Sequence, residues 1–302
     1  MKKSAITFFA LILFALAGLF FISTGFLPDD EIRSDQKKDL KTQSEFFIPS
    51  LKFQRIEKAL LNSPNITAIS DSINQLTNNF EKNYLTALLA KRNGEYEKSF
   101  RILFSRIKEY PNYYPFYDVL IFSAKASDNL NEIDSFIKAD QSSNKYSDYL
   151  SALFFYHTNQ YSNAVELLKN KNDFEPIYLL SYSYRGLGDY DYALITLNRA
   201  ESLPQANSYY LSKVFISKGS LYLLSGNYAE AEKFYKKGLE SAKQFGNRGE
   251  EAKAFINLGI VDDQNGNVDD AKSKLETALQ ISKAIEDKDL EATAYSEMAV
   301  SY

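Results

Sequence analysis

The sequence predicts an all-α protein: a right-handed superhelical α-solenoid of helix hairpins, preceded by an N-terminal transmembrane or signal helix. Four observations support this prediction. Only 12 Gly and 7 Pro occur among 302 residues, too few for a turn-rich β-sandwich or barrel. A short turn element recurs along most of the chain, and an apolar run follows the first lysines. A hydrophobic content of 45% against 25% charged residues is enough to bury a core.

Composition excludes most enzyme chemistries. The chain has no cysteine, which removes disulfides, thiolate zinc sites and thiol nucleophiles, and its single histidine is His157. The net charge of −4, without clusters of Lys or Arg, disfavours nucleic-acid binding. We therefore expect a protein that is not an enzyme and that needs no cofactor, metal or small-molecule substrate.

Residues 1–27 form the first element, a membrane-directed segment. Lys2 and Lys3 precede apolar residues 5–22, and extending the run to Leu27 gives 23 residues. At ~1.5 Å per residue this length spans the roughly 30 Å hydrocarbon layer, which indicates a transmembrane anchor. Residues 23–25 (Ser-Thr-Gly) also have the small-x-small form of a cleavage site, so a cleaved signal peptide remains the alternative.

The basic flank also predicts orientation. Lysines at the N-terminal end keep that end cytoplasmic, which places the rest of a single-pass protein on the extracytoplasmic side. If residues 1–25 are removed, the protein is secreted or periplasmic instead. Residues 28–45 are polar with mixed charges and read as a linker.

A repeated unit defines the remaining chain. Residues 217–239 align with residues 257–279 at an offset of 40, which superposes Gly219 on Gly259 and Ala231 on Ala271. The turn of this unit recurs six times, with its central Gly, Asp or Asn at 94, 128, 159, 188, 226 and 266. Five residues after each comes a residue that is small in five of the six copies: Ser99, Ile133, Ala164, Ala193, Ala231 and Ala271.

This pattern is typical of tight αα-hairpins. The Gly, Asn or Asp suits a left-handed helix end, and the small residue lets the second helix cross closely. Such hairpins bury their apolar flanks only by stacking on one another. We assign residues 80–302 to the repeat array, with an incomplete last repeat, and residues 46–79 to a degenerate hairpin.

The unit resembles the tetratricopeptide repeat (TPR), through Leu258-Gly259, the aromatic residues Tyr222 and Phe255, and the Ala-x3-large steps. This resemblance implies a concave groove lined by the first helices, which holds a protein or peptide partner. The Lys and Asn clamp that some members use to grip a terminal carboxylate is not assembled. The corresponding positions are Tyr84, Asp118, Tyr149, Tyr178, Ile216 and Ile256.

An aromatic stretch is the candidate centre of that groove. By the resemblance, the groove-facing residues of two adjacent units are Tyr149, Tyr156, His157, Tyr178, Tyr182 and Arg185. Amphipathic rings suit peptide contacts because they bury area at low entropy cost. The alternative is that tyrosines at helical spacing pack between helices.

Two functions follow as hypotheses. The first is a scaffold, membrane-tethered or exported, that binds a partner through the groove or the open C-terminal end. The second is the sensory or docking region of a longer signalling protein of the kinase or cyclase type, with its output domain beyond residue 302. The second is motivated by the half-repeat at the end, where Ala299 and Tyr302 are already in register.

Overall fold

A computed structural model describes residues 50–301, except 63–65, 110–111, 143, 204–205 and 207. The described residues contain α-helices, one short 3-10 helix at Ile107–Glu109 and no strand. The predicted anchor or signal segment and the linker at 28–45 lie outside the described residues. Within the part of the chain that the structure describes, no helix is both long enough and apolar enough to cross a bilayer.

Fifteen α-helices follow one another in the described residues. They are α1 (Leu51–Asn62), α2 (Ile66–Asn74), α3 (Asn79–Arg92), α4 (Tyr96–Phe104), α5 (Tyr114–Ala126), α6 (Leu130–Ala139), α7 (Lys145–His157), α8 (Tyr161–Leu168), α9 (Phe174–Gly186), α10 (Tyr190–Glu201), α11 (Ser208–Leu224), α12 (Tyr228–Phe245), α13 (Arg248–Gln264), α14 (Val268–Ala284) and α15 (Lys288–Ser301). Helices α1 and α2 lie within the range 46–79, and α15 follows the last hairpin.

The helices pair as hairpins, with the odd-numbered helix first. Each odd helix up to α13 contacts its hairpin partner and also the next odd helix along the chain. Successive even helices approach one another less closely in the described residues, although α4 and α6 meet through the Phe104 and Phe136 rings and the Arg101–Glu132 ion pair. The odd helices therefore lie on the short, inner side of the curved array, and the even helices lie on its outer side.

All six predicted turns have the expected left-handed backbone. Their central residues have φ between 61° and 79°, including the two that are not glycine, Asp128 and Asn159. The six residues five positions later are fully buried, each with 0% exposure. The helical-hairpin solenoid predicted from the turn spacing is therefore confirmed.

Several apolar clusters stabilise the array. The largest runs from Phe53 to Leu180 through α1–α9, and a separate cluster joins α13–α15 around Leu275. Two smaller clusters lie between them, around Leu197 and around Tyr235. Each hairpin thus completes its core with its neighbours, as expected for a stacked repeat.

The array also returns on itself. Helix α1 contacts α13, although the two helices lie almost 190 residues apart in the sequence. The first hairpin therefore meets the seventh, and the inner helices surround a common interior.

Candidate functional site: the inner face

Hydrogen bonds between first helices run along the inner face. In each, a tyrosine hydroxyl on a first helix, or on the residue just before one, donates to a carboxylate of another first helix. The bonds are Tyr113 to Glu57 Oε1 (2.7 Å), Tyr149 to Asp118 Oδ1 (2.7 Å) and Tyr210 to Glu175 Oε1 (3.0 Å). We call these three pairs the inner ladder. They fix the rotation between repeats, because a charge-assisted hydrogen bond has demanding geometry.

The carboxylates of the ladder sit in a poorly hydrated interior. Burial raises the pKa of Asp118 to about 6, although Tyr149 and Lys213 oppose the change. Burial also raises the pKa of Glu57 and of Glu175. All three side chains still touch solvent. Their carboxylates are desolvated because protein atoms of the surrounding inner helices replace much of the water near them.

Lys213 of α11 is the cation of this interior. Its Nζ donates to the Tyr209 hydroxyl (3.0 Å) and lies 4.4 Å over the Tyr209 ring. Burial lowers the pKa of Lys213, but Tyr209, Glu250 and Asp118 together raise it by more. The pKa is therefore above its ordinary value, and the ammonium stays charged. Its positive charge opposes the rise that burial causes in the pKa of Glu57, Asp118 and Glu175, and together with Lys253 it lowers the pKa of Glu250.

A second polar cluster joins α9 to α11. The Tyr178 and Tyr182 hydroxyls lie 2.9 Å apart, and Ser217 Oγ is 2.9 Å from the first and 3.1 Å from the second. The Tyr178 ring stacks on Phe174. These tyrosines therefore combine inter-helix packing with a polar inner surface.

Tyr156, Tyr182 and Arg185 form the more accessible edge of the inner face. All three are half-buried. The Tyr156 ring meets the Tyr182 ring edge-on at 6.2 Å, and the Arg185 guanidinium lies 4.4 Å over the Tyr182 ring. Arg185 makes no ion pair with any carboxylate that the structure describes. This edge can therefore offer guanidinium N–H donors beside two aromatic rings.

His157 lies beside this edge. Its ring packs edge-on against Tyr156 at 5.1 Å. Burial, together with the positive charge of Lys125, lowers its pKa to about 4, so the imidazole is neutral near pH 7.

Tyr149 corrects one expectation. It was predicted to be exposed in the groove, but its side chain is only 3% exposed. Its ring meets the Tyr114 ring edge-on at 4.8 Å, and its hydroxyl donates a hydrogen bond to Asp118. Packing between helices therefore describes Tyr149, whereas Tyr156, Tyr182 and Arg185 remain accessible.

The ladder partners Glu57, Tyr113, Glu175 and Tyr210 were missed from the sequence. A signal was present, because Tyr149 follows Asp118 by 31 residues and Tyr210 follows Glu175 by 35. These separations match one repeat, so each pair occupies equivalent positions on successive first helices.

Comparison with known proteins supports the architecture. Residues 210–284, within helices α11 to α14, match the tetratricopeptide repeat family model. The chain therefore carries tetratricopeptide repeats in this stretch. The sequence matches none of the curated proteins.

Several solved structures are similar in fold. NprR in complex with its cognate peptide NprX has 14% identity over 89% of this chain and 76% of its own, with a TM-score of 0.50. A thermophilic TPR protein of Thermus thermophilus has 18% identity over 68% of this chain and 99% of its own (TM-score 0.44). YrrB, a TPR protein with an unusual peptide-binding site, has 16% identity over 82% and 98% (TM-score 0.39). At these identities the likeness concerns the fold alone.

Proposed function

We propose that the protein is a non-enzymatic scaffold that holds a segment of a protein partner on its inner face. The observation that carries this proposal is the Arg185 guanidinium, which lies on the Tyr182 ring without a carboxylate partner among the described residues. Four other arginines of the described residues, including Arg101, have a carboxylate within ion-pair distance, whereas Arg199 binds a carbonyl and an amide oxygen. A guanidinium placed beside aromatic rings is suited to bind a carboxylate of another chain.

The surroundings define the chemistry of that segment. Tyr156 and Tyr182 offer ring edges and faces to an apolar or aromatic side chain, next to the donors of Arg185. We therefore expect a peptide that places an Asp, Glu or C-terminal carboxylate next to an apolar residue. NprR, which shares the fold, was solved with its cognate peptide, so peptide binding is compatible with this architecture.

Selection from a random peptide library displayed on phage tests the proposal. Peptides that bind residues 46–302 are counter-screened against Arg185→Glu and Tyr182→Ala. We expect Arg185→Glu to weaken binding about tenfold or more, because it replaces an attraction for a carboxylate with a repulsion. Isothermal titration calorimetry of the selected peptides measures the loss.

Tyr192→Ala is the matched control. Tyr192 is 55% exposed on the outer helix α10, so its loss removes an aromatic ring of equal size away from the inner face. Peptides that lose affinity for Tyr192→Ala, or that keep full affinity for Arg185→Glu, would refute the assignment of the site.

We also propose that residues 1–27 attach the repeats to a membrane or direct their export, with the repeats on the extracytoplasmic side. The support is the 23-residue apolar run behind two lysines. Membrane fractionation with alkaline carbonate tests it: an anchor stays with the membrane, and a cleaved signal releases a shortened protein. A full-length protein in the soluble fraction contradicts both.

A further inference from the structure

The two ends of the described array are joined by side chains of the first two hairpins. Lys58 Nζ on α1 donates to the Phe245 carbonyl at the end of α12 (2.9 Å) and lies 4.8 Å over the Phe245 ring. Asn62 Oδ1, at the end of α1, accepts the backbone N–H of Arg248 at the start of α13 (2.9 Å). These partners lie 186 and 187 residues apart in the sequence.

Arg92 makes the second junction. From the end of α3, its guanidinium donates to the carbonyls of Leu60 in α1 (2.9 Å) and of Ile285 after α14 (2.8 Å). Glu286 adds a carboxylate oxygen at 3.7 Å. The Arg92 side chain is only 11% exposed. We call the contacts of Lys58, Asn62 and Arg92 the clasp.

The clasp uses the charge at helix ends. Leu60, Phe245 and Ile285 lie in or just after the last turns of α1, α12 and α14, where carbonyl groups lack partners within the helix. The negative end of the helix dipole favours a cation there. Lys58 and Arg92 thus bind the ends of α12 and α14 across the junction, and Arg92 also binds the end of α1.

The junction differs from every junction between successive hairpins. The cluster that contains Phe53 and Leu60 ends at Leu180, and the cluster of α13–α15 shares no residue with it. The clasp therefore holds the two ends mainly by polar contacts. The Lys58 bond is exposed, so water can replace it, whereas the Arg92 guanidinium is largely buried and its bonds are the stronger part of the clasp.

The interior behind the clasp is closed. Tyr209 of α11 packs against Phe245 of α12, the residue whose carbonyl accepts from Lys58. Ser217, between Tyr178 and Tyr182, is 6% exposed.

We propose that the clasp is a built-in closure: the array opens between α1–α3 and α12–α14 and so controls access to the inner face. The structure described is the closed state. The proposal stands on the clasp geometry, independently of which peptide the inner face binds.

A thiol probe on the inner face tests access. The chain holds no cysteine, so Ser217→Cys gives a single thiol, and its reaction rate with the disulfide reagent DTNB reports exposure of the interior. In this background we expect Arg92→Ala to accelerate the reaction about tenfold, because it removes charge-assisted bonds that hold the closed state. Lys58→Ala is expected to act in the same direction.

Spin labels test the opening itself. Arg55→Cys on α1 and Gln280→Cys on α14 flank the clasp, and both positions are exposed. Double electron–electron resonance should show a longer or broader distance distribution in Arg92→Ala. The pair Ser135→Cys and Glu166→Cys, on outer helices α6 and α8, should keep its distance.

Arg101→Ala is the matched control substitution. Arg101 likewise binds several groups at once, namely Glu97 of its own helix and Glu132 and Asn129 of the next hairpin, so it joins neighbouring hairpins and not the two ends of the array. Equal effects of Arg101→Ala and Arg92→Ala would overturn the proposal. So would an unchanged thiol rate and label distance in Arg92→Ala with native circular dichroism. If Arg92→Ala unfolds, Lys58→Ala supplies the same two readings.

Discussion

Gly219 shows how closely the two helices of a hairpin approach. A Cβ atom built on Gly219 would lie 2.6 Å from two ring carbons of Tyr235, whose side chain is fully buried. Gly259 has the equivalent contact with Leu275, at 2.9 Å. The two glycines align at an offset of 40 because each lies where the helices of a hairpin cross without room for a methyl group.

Gly219→Ala should therefore destabilise the protein. We expect a loss of about 1–3 kcal/mol in the free energy of unfolding, because the Tyr235 ring cannot move without disturbing its core. Urea denaturation measures the loss. Gly249→Ala is the control: Gly249 also lies in a first helix, and its nearest outside atom is 3.6 Å away. It should be neutral or stabilising, since Ala is the better helix former.

Asp118 should give the stability a distinct pH dependence. Its folded-state pKa of about 6 lies above its ordinary value of 3.8, so the folded state binds the proton more tightly. The stability of the wild type relative to Asp118→Asn should therefore fall as pH rises from about 4 to about 6, and stay level above that. Urea midpoints at pH 4 to 7 measure the difference. A difference that is flat across this range contradicts the assignment.

His157 should act with the opposite sign. Its folded-state pKa of about 4 lies below the ordinary value of 6.5, so the unfolded chain binds the proton more tightly. The stability of the wild type relative to His157→Gln should fall as pH drops from 6.5 toward 4. The same urea series, or NMR titration of the single imidazole, provides the measurement.

At the scale of elements, one buried cation joins α10 to α11. Lys218 is 3% exposed and pairs with Glu201, whose side chain is 39% exposed. The Lys218 ammonium also lies 5.6 Å over the Phe234 ring. Removing the partner leaves a desolvated charge, which is costly even when the intact pair contributes little.

Glu201→Gln should therefore cost about 2 kcal/mol, less than the ~3–5 kcal/mol of a fully buried pair, because Glu201 is partly hydrated. The thermal or urea unfolding curve checks this value. Glu230→Gln, which removes the partner of exposed Lys233 within one helix, serves as the comparison. It should cost under about 0.5 kcal/mol. Similar losses for the two variants would mean that burial of Lys218 has no energetic role.

The turns show which elements were predictable. All six left-handed turns within hairpins were predicted, because Gly, Asn and Asp favour that backbone. The equivalent residues between hairpins, Gly246 and Glu286, also have positive φ but were missed. Glu286 carries no local signal, since a glutamate adopts this conformation only where packing on both sides requires it.

The inner face was less predictable than the hairpins. Helical periodicity correctly places Tyr149 and Tyr182 on first helices, but it cannot tell which of them is buried. That depends on the rotation between repeats, and small rotations accumulate along the array. The contact between α1 and α13 depends on all of these rotations together, so no local sequence pattern predicts it.

At the scale of the whole molecule, separate apolar clusters imply separate local stabilities. Leu275 belongs to the cluster of α13–α15, and Leu150 belongs to the large cluster of α1–α9. In stacked repeats, a destabilising substitution lowers the local stability of its own unit and mainly of the neighbouring units.

Hydrogen exchange should reveal this division. Leu275→Ala, which leaves a cavity worth about 2–5 kcal/mol, should speed amide exchange in α13–α15 with little change in α5–α7. Leu150→Ala should produce the reverse pattern. Mass spectrometry of proteolytic fragments locates the change, and uniform acceleration in both variants would show that the array unfolds as one unit.

The clasp also gives the array a mechanical property. If the array opens at the clasp as proposed, we expect tension between residues 51 and 301 to break the contacts of Lys58 and Arg92 before the stacked hairpins separate. Once these contacts are broken, the curved array can straighten while the apolar clusters between hairpins stay intact. The molecule would therefore yield first at low force and over a short distance, and only later by loss of helices. The array is then expected to be stiff below a small tension and compliant above it.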